Sequence, residues 1–166
     1  MKSGLEDVIA AETVLSDVDG QAGRLIVRGI SLDELAGRRF EDVAGLLFDG
    51  FFAELPDAAG MAAALGAARV RVFPHVGALD GGLLALTPTE AVRALLARLP
   101  DGNDLEAALA LLAAPGVFTP AVVRRQRGEA AVPPDPRLPH AADMLRMLRG
   151  VPAPASAVAA LDTYLV

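Results

Sequence analysis

The chain has two histidines, His75 and His140, and no cysteine. Without cysteine there can be no thiolate nucleophile, no disulfide and no cysteine-held metal. Neither histidine has a second one at i+3 or i+4, so a zinc pair on one helix face is excluded. His140 follows Pro139 at a helix start and reads as a structural or capping group. His75 follows Phe73-Pro74 and reads as a loop residue. Asp17 and Asp19 have the spacing of a metal-binding or acid–base pair. They flank a predicted hairpin turn, where aspartate commonly serves nearby backbone amides, so turn chemistry is the expectation. The run Gly77-Ala78-Leu79-Asp80-Gly81-Gly82 is glycine-rich, but it follows no clear strand and contains no lysine, which argues against a phosphate loop. Arg124, Arg125 and Arg127 could hold a phosphorylated or carboxylated ligand. Their place in a last helical turn favours a solvated end that complements the helix dipole. No serine or threonine lies beside a plausible base. The residues assemble no complete catalytic constellation, so no catalytic residue, cofactor-binding residue or metal ligand is assigned.

The elements that would position these groups are mostly helical. Hydrophobic content is 53% but aromatic content only 4%. Apolar volume therefore comes from alanine, leucine and valine, which suits closely packed helices better than a β-sandwich. The length of 166 residues is one domain or a large part of one. A net charge of −6 argues against a nucleic-acid partner. The N-terminus turns acidic at Glu6-Asp7 and shows no signal-peptide core. Together with the absence of cysteine, this makes a cytoplasmic protein the expectation.

Residues 8 to 28 read as a β-hairpin. Val14–Val18 and Arg24–Arg28 form the arms, and Asp19-Gly20-Gln21-Ala22-Gly23 forms a turn closed by a glycine able to take positive φ. Helices follow. Ser31-Leu32-Asp33-Glu34 is a capping box. Phe40 to Phe48 forms a helix ended by Gly50. Pro56-Asp57 opens another through Met61 and Leu65. Thr87-Pro88-Thr89-Glu90 combines a cap, a first-turn proline and a second box ahead of the stripe Val92, Leu95, Leu96 and Leu99. Asp104 caps a helix that Pro115-Gly116 is expected to break, with Thr119-Pro120 restarting it up to Gly128. Ala107 to Val123 is uncharged, but the prolines interrupt it and it falls short of a membrane span. Val132-Pro133-Pro134-Asp135-Pro136 is an extended connector, and Pro139-His140 begins a helix closed by Gly150. A final helix carries Val158, Leu161 and Leu165 and reaches Val166 without a glycine, proline or basic last turn, as if more protein followed. The stripes from Thr87 to Arg127 and this last helix are expected to expose apolar faces and to self-associate. The predicted class is mainly α, with a short hairpin over 1–30 and about seven helices over 31–166.

The stretch from Gly4 to Gly29 closely resembles the opening of bacterial citrate synthases. It carries Gly4-Leu5-Glu6, Asp17-Val18-Asp19-Gly20, Gly23-Arg24-Leu25 and Arg28-Gly29 in the family's order. Phe40-Glu41-Asp42-Val43-Ala44-Gly45-Leu46-Leu47 resembles the family's next helix. His140-Ala141-Ala142-Asp143-Met144-Leu145-Arg146-Met147-Leu148 resembles its "HAANFLYML", and Ala160-Leu161-Asp162-Thr163-Tyr164-Leu165-Val166 its "ALDTYLI". The resemblance implies the N-terminal part of a mostly helical large domain in a dimeric enzyme. It also implies condensation of acetyl-CoA, or a related acyl-CoA, with oxaloacetate. In such enzymes a carboxylate takes a proton from the thioester methyl, histidines stabilise the enolate and activate the ketone, and arginines hold the carboxylates. The family's first histidine motif follows "ALDTYLI", so no catalytic residue is carried over, and the 166-residue chain alone is expected to be inactive.

Several positions depart from the family pattern. Val27 and Ile30 stand where tyrosine is common, Asp143 replaces asparagine, Arg146 replaces tyrosine, and Thr87-Pro88-Thr89 replaces His-Pro-Met. Ala114-Pro115-Gly116-Val117 is expected to interrupt a long helix that helps form the family's dimer interface. These departures imply a divergent paralogue. The expected partner is a second copy or a true citrate synthase subunit, with no nucleic acid and no membrane. The alternative to an enzyme is a citrate-synthase-like pseudoenzyme with a structural or regulatory role. A third reading is an unrelated helical interaction domain.

Overall fold

The computed structural model describes residues 12–166, in two compact units divided along the sequence between Gly37 and Arg38. The predicted hairpin residues 8–11 lie outside the described part.

The first unit is a three-stranded antiparallel sheet and one short helix. β1 (Ser16–Asp19) pairs with β2 (Arg24–Val27) in the register Asp17 to Ile26 and Asp19 to Arg24. The turn between them is the predicted one, with Gly23 at φ +63°. A third strand, β3 (Ile30–Ser31), pairs on the far side of β2 and was not foreseen. Ser31 then caps α1 (Leu32–Leu35) through the expected reciprocal box with Glu34.

The second unit is helical. It contains α2 (Phe40–Phe48), α3 (Ala58–Val72), a 3-10 helix at Phe73–Ala78, α4 (Gly81–Leu84), α5 (Pro88–Leu96), α6 (Leu105–Gln126), α7 (His140–Arg149) and α8 (Ala155–Leu165). Its starts follow the sequence signals. Asp57, Thr87 and Asp104 each accept an amide three residues on, and Glu90 closes the second box. α3 runs a full two turns past Leu65, because its alanines favour the helix and Met61, Leu65, Ala68 and Val72 form one buried stripe.

Helix α6 overturns an expectation. Pro115 and Pro120 lie inside one continuous 22-residue helix. An interior proline costs about 3 kcal/mol in an isolated helix. Here Leu109, Val117, Phe118 and Val122 are buried between α3, α5 and α7, and each such side chain contributes roughly 1.5–3 kcal/mol. Pro115 faces outward, where water can serve the backbone beside it. Packing on several sides holds together what local propensity would break. The long helix expected to be interrupted at 114–117 is therefore present. Its length and composition would suit a membrane span, but half of its apolar window is buried in the protein, as in a core helix.

Two apolar clusters flank α6. One joins Ala44, Met61, Leu65, Ala68, Leu109 and Ala113 of α2, α3 and α6. The other joins Val76, Leu95, Val117, Phe118, Val122 and Met147 around the 3-10 helix, α5, α6 and α7. The α5 and α6 stripes expected to be open are thus largely covered. α8 differs, with no buried residue and Tyr164 85% exposed.

Candidate functional site

The densest group of chemistry-bearing side chains lies where α3, α7 and the start of α2 meet. His140 is the first residue of α7 and is buried. Its ring stacks on Phe40 with centroids 4.7 Å apart. The Nη1 of Arg69 approaches its Nδ1 at 3.4 Å. Because a guanidinium only donates, Nδ1 must accept, which places the imidazole proton on Nε2. Burial first, and the Arg69 charge second, push the His140 pKa down to about 4, so the ring is neutral at pH 7. The other side of the ring lies against Gly116 of α6, where an added Cβ would fall 2.6 Å from Nε2.

Arg69 organises the rest. Its side chain is fully buried, and it spends its donors on Asp143 Oδ2 at 2.9 Å, the Leu138 carbonyl at 2.6 Å and the Asp135 carbonyl at 3.3 Å. Burial lowers its pKa and the Asp143 carboxylate opposes that shift. Asp143, also fully buried, accepts the Asp135 amide at 3.1 Å and two bonds from Arg146 at 2.9 and 2.7 Å. Arg137 holds the Asp135 carboxyl well below the usual carboxylate range. Glu41 accepts the His140 amide on Oε1 at 2.6 Å and so caps the start of α7. The cluster straps the proline-rich connector across α3, where an alanine Cβ in place of the Gly66 hydrogen would lie 2.1 Å from the Pro136 carbonyl oxygen.

These are the residue types of an active site, but they are almost sealed. His140 is 3% exposed, Glu41 1%, and Arg69 and Asp143 0%, and of the four only Glu41 borders a groove. The cluster is a polar staple. It supports the structural reading of His140, although the imidazole stacks and accepts while its backbone amide is the group that is capped.

The other candidates separate. His75 sits partly exposed in the 3-10 helix and lines a different cavity of about 320 Å³ with Asp101 and Asp104. Asp19 takes up turn chemistry. It accepts the Ala22 amide at 2.9 Å and pairs with Arg24 at 3.1 Å, and both interactions lower its pKa. In the glycine run, Asp80 caps α4 by accepting the Leu83 amide at 2.9 Å, filling the place an anion would take. Arg125 and Arg127 are the exposed helix end expected. Arg124 departs from that. It ties the end of α6 to Ala130 and Leu148 carbonyls and to Glu129. A groove of about 750 Å³ runs along α2 and the start of α3, and Glu41 forms part of its wall.

Sequence reasoning passed over Arg69 and Glu41. A signal existed for Arg69: it lies in the i, i+4 stripe of Met61, Leu65 and Val72, and a charge on an apolar face needs a buried partner. Asp143 and Arg146 stood out only as departures from a pattern. The structure pairs them with each other, so the two departures meet in one ion pair.

The family model described as "Citrate synthase, C-terminal domain" matches residues 4–166. A citrate synthase of Haloferax volcanii is 31% identical over 90% of this chain, and a 2-methylcitrate synthase of Mycobacterium tuberculosis is 31% identical over all of it. The chain spans 44% of the length of each of these curated relatives. Among solved structures, citrate synthase from Thermotoga maritima superposes with a TM-score of 0.77 at 22% identity, over 98% of this chain and 45% of that one. Citrate synthase from Pyrobaculum aerophilum gives 0.75 at 24% identity, over 96% of this chain and 45% of that one. The residues quoted at both ends of the sequence, the fold and the family match agree: the chain belongs to the citrate synthase family.

Proposed function

We propose that this chain is the N-terminal part of the large domain of a citrate-synthase-type acyltransferase. The full protein condenses acetyl-CoA or a related acyl-CoA with oxaloacetate, as a cytoplasmic dimer of like or closely related subunits. The observation that carries this reading is a family match that runs the length of the chain, from residue 4 to 166, while covering less than half of the relatives. The chain's own part is scaffold. Its two histidines do not form a general acid–base pair, since one is buried and neutral and the other lines a separate cavity. On this reading the 166 residues alone are inactive, and the histidines, aspartate and arginines of the reaction come from elsewhere in the full protein.

A thiol-release assay with oxaloacetate tests this directly. The relatives' names divide between citrate and 2-methylcitrate, so acetyl-CoA and propionyl-CoA are both offered. The isolated chain is expected to release no thiol, and turnover by it alone would overturn the scaffold role. Codons beyond Val166 that encode further histidine and aspartate motifs support the enzyme. A stop codon there, with a mixed dimer formed with a true citrate synthase subunit, supports a pseudoenzyme partner instead.

A further inference from the structure

The His140 ring offers a single acceptor, and two groups compete for it. With the imidazole proton on Nε2, that acceptor is Nδ1, and Arg69 Nη1 stands against it at 3.4 Å. A proton taken up by the ring goes to the same Nδ1. The imidazolium then carries N–H on both nitrogens and has nothing to offer a guanidinium. The ring has little room to turn away. Phe40 stacks on it, and a Cβ added at Gly116 would meet Nε2 at 2.6 Å and Cε1 at 2.7 Å. Proton and Arg69 are therefore alternatives at one site.

Displacing Arg69 has a defined consequence. The guanidinium that faces His140 also holds the Leu138 and Asp135 carbonyls of the connector between α6 and α7. Asp143 takes the Asp135 amide, and Arg146 reaches the Pro133 carbonyl at 2.6 Å. Pro133, Pro134, Pro136 and Pro139 have no amide to give, so backbone pairing cannot secure this segment and the buried side chains do. Arg69, His140, Glu41 and Asp143 are sealed by the chain's own elements.

We propose that His140 and Arg69 form a proton-operated catch, in which protonation of Nδ1 expels the guanidinium and releases residues 133–139 with the first turn of α7. The surrounding charges favour this outcome. Arg69 of α3 opposes a second positive charge, and together with burial it holds the ring pKa at about 4. Glu41 of α2 spends Oε1 on the His140 amide. Asp143 of α7 is taken by Arg69 and Arg146, and the connector's Asp135 carboxylate by Arg137. Asp162 of α8 accepts the Phe40 amide at 3.2 Å and bears on Glu41. α6 presents Gly116 to the ring. Because the closed value lies below the ordinary 6.5, the catch is shut above pH 6.5 and is lost progressively as pH falls toward 4. Relative to pH 7.5, opening should rise about tenfold by pH 5.5 and about thirtyfold by pH 5.

Amide exchange read by mass spectrometry on the full-length protein, corrected for the intrinsic pH dependence of exchange, tests this. Peptides covering 133–142 should open about thirtyfold more at pH 5 than at pH 7.5, while α3 and α6 change less than about threefold. His140→Asn keeps an oxygen acceptor near the Nδ1 position that does not titrate in this range, and should hold the rise below about threefold. His140→Gln is the second variant, with the same expectation. A parent without the rise would overturn the catch, as would a rise shared equally by α3 and α6. A full rise that persists in either variant would overturn the assignment to His140.

Discussion

Replacing Arg69 by methionine removes the centre of the buried staple while keeping most of its apolar stem. Four interactions go at once: the ion pair to Asp143, donation to the Leu138 and Asp135 carbonyls, and donation to His140 Nδ1. Breaking a buried pair by removing one partner costs about 3–5 kcal/mol, because the other charge stays buried. Asp143 keeps Arg146 and the Asp135 amide, which places the expectation at the lower end, about 3 kcal/mol. That is a large share of the roughly 5–15 kcal/mol that holds a domain folded. With a urea slope of about 2 kcal/mol per molar, the midpoint should fall by roughly 1.5 M. Arg69→Lys keeps the charge but cannot serve two carbonyls and a carboxylate together, so it should fall between parent and Arg69→Met. In a double-mutant cycle with Asp143→Asn, the coupling should exceed about 1.5 kcal/mol. A midpoint shift below about 0.5 M, or strict additivity in the cycle, would refute the staple, because such values belong to exposed pairs.

Three further outcomes are expected. His140 has a folded pKa of about 4 against 6.5 unfolded, so its contribution is complete above pH 6.5 and is lost as pH falls through 4. The slope approaches about 1.4 kcal/mol per pH unit and is best read between pH 6.5 and 5 by urea titration, where it should vanish in His140→Gln. Gly66→Ala places a methyl against the Pro136 carbonyl, backbone on backbone, and should lower the melting temperature by roughly 5–10 °C in calorimetry. A melting temperature within about 2 °C of the parent would show that the connector moves freely off α3. Asp143→Asn leaves Arg146 without its carboxylate, so the single change should destabilise the chain more than Asp143→Asn with Arg146→Tyr. If the double variant is the less stable by denaturant midpoint, the two positions are not a linked pair.

The sequence by itself determined whatever is decided within a few residues. The hairpin turn from Asp19 to Gly23, the two capping boxes at Ser31 and Thr87, and the caps at Asp57 and Asp104 each join groups no more than four positions apart. Their geometry follows from residue type and spacing alone. The family was legible because its motifs are short runs of consecutive residues, at 4–29, 40–47, 140–148 and 160–166. The tertiary structure decided the rest. Pro115 and Pro120 read as breaks until α3, α5 and α7 surround α6 and outweigh them. Arg69 carried no assignment until Asp143, 74 positions on, met it in the interior. His140 read as a structural or capping group; it is buried and structural, and its amide is capped by Glu41 from 99 positions away. Asp162 gave no local sign that it closes the start of α2. A buried charge or an uncapped helix end states a need, and only the folded chain shows which distant residue meets it.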